Sequence, residues 1–83
     1  MEIGKIKRVT EISGKICELM NTHDKRWMFM KTFFPGRLSY VNLEGPPERT
    51  CFCMVEEIFK NDEQEKLEEI LLKHYWIKLN TIL

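Results

Sequence analysis

The sequence predicts a two-layer α+β domain: a helix, a three-stranded antiparallel β-meander and a closing helix (αβββα). Three observations lead to it. Apolar residues recur at three- and four-residue steps near both ends of the chain. The middle is rich in aromatic residues, which favour strands. Pro35-Gly36 and Gly45-Pro46-Pro47 punctuate that middle stretch. Short links between such pieces favour an antiparallel meander with helices packed on it.

Residues 2–22 form the first expected helix. Ile3, Ile6, Val9, Ile12, Ile16, Leu19 and Met20 make its apolar stripe, with Lys7, Arg8, Glu11, Lys15 and Glu18 on the opposite side. A rival reading makes residues 3–9 a strand and starts the helix at Thr10 as N-cap. Poor alternation over 3–9 favours the long helix. Gly4 and Gly14 each weaken it by about 1 kcal/mol.

Residues 26–34 and 37–43 are the first two expected strands. Phe34-Pro35-Gly36-Arg37 between them suits a type II turn. Pairing Phe34 with Arg37 sets Met30 against Val41 and Met28 against Leu43. A third strand is expected over 50–59, after a polar, Pro-rich link. The closing helix is expected over 62–80, with Asn61 or Asp62 as cap and Asp62/Glu65 at capping-box spacing. Residues 76–83 also alternate well enough for a strand, but no turn residue separates them from the helix.

Composition bounds the function. The 83 residues make one domain (1–83), 43% hydrophobic, with 13 basic and 13 acidic side chains. That is too apolar for disorder and too balanced for a polycation or an acidic DNA mimic. No apolar run approaches the ~20 residues of a membrane span. The start of the chain lacks the apolar core of a signal peptide. Residues 1–37 hold eight basic and four acidic side chains, leaving +4, which residues 38–83 balance at −4. Three cysteines, Cys17, Cys51 and Cys53, are an odd number, which points to reduced thiols and a cytoplasmic location. In a strand, Cys51 and Cys53 would share a face. A metal site would have to recruit Cys17, His23 or His74, and paired zinc knuckles are absent. No metal or other cofactor is expected.

Catalysis finds no constellation. Ser13 and Ser39 lack a nucleophile-elbow context, and no glycine loop suits phosphate. Glu56 and Glu57 would point to opposite faces of a strand. His74 falls on an apolar stripe and His23 beside Asp24 at a helix end. No enzyme activity and no small-molecule substrate are expected.

Two apolar surfaces exceed what one small core needs. The second face of the hairpin carries Trp27, Phe29, Phe33, Leu38 and Tyr40, and the closing helix has a second stripe through Leu72, Trp76, Leu79 and Leu83. The expected function is therefore a small non-enzymatic regulatory protein, an adaptor or inhibitor, that binds protein and self-associates as a homodimer. Trp27, Phe29, Tyr40, Leu72, Trp76 and Leu79 are the candidate contact residues. The alternative cover is in cis, by the chain's own helices or tail. A second reading is binding of RNA or single-stranded DNA to the sheet, with Trp27, Phe29 and Tyr40 stacking on bases and Lys25, Arg26, Lys31 and Arg37 holding phosphates. A weaker one, motivated by size alone, is a viral or mobile-element inhibitor of a host enzyme.

Overall fold

The computed structural model describes residues 3–76. Over that span the chain is helical: α1 (Ile3–Leu19), α2 (His23–Phe33), a 3-10 segment (Pro35–Tyr40), α3 (Pro47–Lys60) and α4 (Gln64–Tyr75). No strand occurs among the described residues. The α+β architecture and its meander are thereby overturned, and only the two terminal elements, α1 and α4, keep their expected helical character.

The reason lies in which apolar residues reach the core. In α2 the buried positions are Arg26, Phe29, Met30 and, just beyond, Phe34, a helical spacing. Trp27 and Met28 interrupt that pattern because they are apolar but exposed. Counting all of them as apolar turns a helical stripe into a continuous run, which reads as a strand. Residues 50–59 mimic a strand in the same way. Cys51, Met54, Val55, Ile58 and Phe59 face the core at steps of three, one, three and one, and Phe52 and Cys53, half-buried, fill the gap between them.

Caps and prolines set the ends. Thr22 caps α2, its Oγ1 accepting from the Lys25 amide at 3.2 Å. Pro35 disfavours helical backbone at Phe34, whose φ/ψ of −136°/56° ends α2. The expected turn and second strand are instead the 3-10 segment and an extended link, so the Met30–Val41 and Met28–Leu43 pairs do not form. Pro47 opens α3 at a position whose N–H needs no partner, and Glu48 in its first turn suits the helix dipole. The two prolines expected to mark only a link thus start a helix.

The boundary before the last helix also differs. Neither Asn61 nor Asp62 caps α4, which follows Glu63 without a side-chain cap. Both residues close α3. Asp62, left-handed at φ 56°, donates its amide to Phe59 O at 3.1 Å, and the Glu63 amide reaches Ile58 O at 3.1 Å. This is the Schellman arrangement, with aspartate where glycine is commonest. Asn61 Nδ2 donates to Glu57 O at 2.8 Å. At the other end, Trp76 is left-handed (φ 60°) and its amide reaches back to Leu71 O, so the regular helix stops at Tyr75. The rest of the expected 62–80 helix, and the strand alternative for 76–83, lie outside the described residues beyond Trp76.

The most extensive packing is α1 on α3. Val9, Ile12, Ile16 and Met20 meet a single core with Cys51, Met54, Val55 and Ile58, joined by Leu67, Ile70 and Leu71 of α4. Ile3 and Ile6, expected on the α1 stripe, project beyond this core and are exposed. The opposite charges of the two halves partly meet in the fold. Arg8 of α1 pairs with Glu68 of α4, and Arg37 Nε donates to Glu63 Oε1 at 3.1 Å.

Candidate functional site

An open groove of about 440 Å³ lies between the end of α1, one side of α2 and the end of α4. Leu19, Met20, Met28, Phe29, Phe33 and Tyr75 give it apolar walls, and Asp24, Lys25 and Thr32 supply its polar part. Helical spacing builds the α2 side, because residues 25, 28, 29, 32 and 33 share one face. Phe29 is nearly buried, with ring centroids 5.3 Å from Phe33 and 6.0 Å from Tyr75. Burial at the groove raises the Tyr75 hydroxyl above its ordinary pKa. Met28 stays 57% exposed. His74 stacks at 5.1 Å from Phe33, but it is exposed rather than packed into the core as its stripe position implied.

The candidate contact residues scatter differently from expectation. Phe29 is inside, where it lines the groove. Trp27 and Tyr40 are exposed, on α2 and at the end of the 3-10 segment, and no shared sheet face joins them. Leu72 is half exposed on α4, and Trp76, directly after the groove residue Tyr75, is 88% exposed. Leu79 lies outside the described residues. Met28, Tyr75, Leu19 and Met20 were not among the candidates. A helical reading of residues 24–33 would have put Met28 beside Phe29 and Thr32.

The basic set is divided. Lys25 and Lys31 are exposed. Arg37 is committed to Glu63. Arg26 is only 3% exposed, and its Nη1 donates to Met20 O at 3.0 Å. It thereby satisfies a carbonyl at the end of α1, where the helix dipole favours a cation. The aromatic and basic sheet face that would have stacked bases does not exist, since there is no sheet among the described residues.

The thiols also rearrange. Two residues along a helix turn by about 200°, so Cys51 and Cys53 point to opposite sides of α3 rather than sharing a face. Cys51 is fully buried and Cys53 half-buried. Burial, together with the neighbouring Cys17 thiol, pushes Cys51 up to about 12, although the Arg26 guanidinium pulls the other way. His23 opens α2 with Nε2 3.5 Å from Glu44 Oε1 and Nδ1 3.7 Å from Asp24 Oδ1. Among the described residues no cluster of His, Cys, Asp or Glu could hold a metal ion, and no helix is long and apolar enough to cross a membrane. No protein-family model matches the chain, and neither a curated protein nor a solved structure is detectably similar to it.

Proposed function

We propose that this chain is a non-enzymatic protein-interaction module that pairs with a second copy of itself through the groove. The carrying observation is a hole beside a knob: the open apolar groove lined by Met28, Phe29 and Tyr75, and the exposed Trp76 that follows Tyr75 directly. In a two-fold dimer each copy offers the same patch, so a knob and a hole on one patch can satisfy each other twice. Charge fits the same occupant. Asp24 and Lys25 sit side by side in the groove lining, and a two-fold axis can set each against its opposite on the other copy. A net charge of zero adds no long-range repulsion between copies.

Sedimentation equilibrium across the micromolar range tests this reading. The expected result is a reversible dimer, with Met28→Asp and Trp76→Asp monomeric at the same concentrations and unchanged in helical circular dichroism. A wild-type chain that stays monomeric throughout rejects self-association. An adaptor or inhibitor role would use the same groove, with a foreign apolar segment competing against the second copy.

A further inference from the structure

We propose that residues 77–83 of the same chain are the resident occupant of the groove, folding back from Trp76 to close it in the monomer and giving way when a second copy arrives. Only the last clause rests on the pairing reading. The chain passes from α4 into this segment at the groove's own rim. Tyr75 lines the groove, and Trp76 follows it in left-handed backbone (φ 60°), its amide turned back to Leu71 O. A left-handed residue at a helix end turns the chain off the helix axis, commonly with an apolar contact from the next residue onto the last turn. Here the next residue is Ile77.

Chemistry and reach both fit this occupant. The segment reads Ile77-Lys78-Leu79-Asn80-Thr81-Ile82-Leu83, four of its seven residues large and aliphatic. The groove offers apolar walls to match, with Met28, Phe29 and Phe33 beside Tyr75. The segment's one charge is the cation of Lys78. Of the two charged groups in the groove lining, Lys25 already donates to Asn21 Oδ1 at 3.4 Å. Asp24 is fully exposed and has just the His23 ring, at 3.7 Å, as a partner among the described residues, so it is the group open to Lys78. Seven extended residues span at most about 25 Å. The α2 wall, eight steps of about 1.5 Å from Lys25 to Phe33, is about 12 Å long. The segment therefore reaches along the whole wall of its own groove.

Tethering decides between this segment and a second copy in dilute solution. A segment joined to the rim acts at an effective concentration on the order of millimolar, whatever the concentration of the chain. A second copy at micromolar concentration competes against that. Two-fold pairing needs both grooves open. Where the segment leaves each groove open about a tenth of the time, the apparent dissociation constant of the dimer rises about 100-fold. The groove is then both the pairing site and the place where pairing is held in check.

The test compares the wild-type chain with the double variant Leu79→Asp/Ile82→Asp, its helical circular dichroism and cooperative urea unfolding retained. The first readout is the fluorescence of anilinonaphthalene sulfonate, a dye for exposed apolar surface, at submicromolar chain concentration. The variant should be several-fold brighter than the wild type, and adding Met28→Asp to it should remove the gain. A variant no brighter than the wild type, or a gain that survives Met28→Asp, overturns the proposal. The second readout is sedimentation equilibrium, where the variant should pair about 10- to 100-fold more tightly than the wild type. Weaker pairing would place the segment on the second copy instead and overturn closure within one chain. The two readings fail separately. A dye gain with neither chain pairing keeps the segment in the groove and rejects self-association, whereas equal pairing with no dye gain rejects the segment and keeps the dimer.

Discussion

Two seams of the same small bundle are finished to different degrees. Between α1 and α3 the apolar side chains close on one another, and Ile12, Ile16, Met54 and Val55 are fully buried. Where the ends of α1 and α4 meet α2, comparable side chains line an open groove, and Met28 and Trp76 stand largely in water. Both seams are built by helical spacing from similar residues. The difference shows that the hydrophobic content of this chain splits into a share that holds the fold and a share left available for contact.

The largest effect that can break this comparison comes from matched truncations. Met54→Ala on the closed seam should cost about 2–5 kcal/mol, the range for emptying a packed methionine site. Met28→Ala at the groove should change stability by no more than about 0.5 kcal/mol at concentrations where the chain is monomeric. Urea unfolding of both variants checks the pair. Equal losses would mean that the groove is as much a part of the core as the α1–α3 seam.

A smaller effect is confined to the closed seam and appears with alkali. Cys51 has its thiol held at about 12 in the folded chain against an ordinary value of 9.0. Above pH 9 the unfolded chain loses that proton while the folded chain keeps it. The unfolded state then binds fewer protons, so stability must fall as pH rises. One such group costs about 1.4 kcal/mol per pH unit between about 9 and 12 and nothing below about 8. Urea midpoints of wild type and Cys51→Ala at pH 8 and pH 10 read it: the wild type should lose about 1.4 kcal/mol more than the variant. A parallel decline would show that Cys51 ionises as freely folded as unfolded.

The smallest effect sharpens the comparison by touching neither seam. Gly14 is exposed in the middle of α1, and a methyl group added there meets nothing within 4 Å. Gly14→Ala should therefore raise stability by about 1 kcal/mol through helix propensity alone. Thermal unfolding checks it, with no change expected in the oligomeric state.

The groove is partly legible in the sequence. Phe29 and Trp76 stand out in the sequence as surplus apolar residues, and Phe29 does lie against the groove while Trp76 is exposed beside it. Their neighbours were not legible, because Met28 and Tyr75 join Phe29 only once residues 24–33 are read at 3.6 residues per turn. Trp27 and Met28 hid that period: an apolar side chain left in water looks, in one dimension, the same as one in the core. The packing of α1 on α3 is beyond reach for a different reason. Thirty-odd residues separate their buried stripes along the chain, and only tertiary packing closes that gap.

By itself the sequence determined a helix near each end, the buried positions Val9, Ile12, Ile16 and Met20 of the first, the absence of net charge and an excess of apolar side chains. These are local or summed properties, and periodicity or counting reads them. The tertiary structure alone decided that residues 26–33 and 50–59 are helices. Aromatic and β-branched residues suit either state, and the choice goes to the conformation that buries Phe29, Met30, Met54 and Ile58 together in one core. It also decided that Arg26, expected on an exposed basic face, turns inward, because the end of α1 offers it a carbonyl.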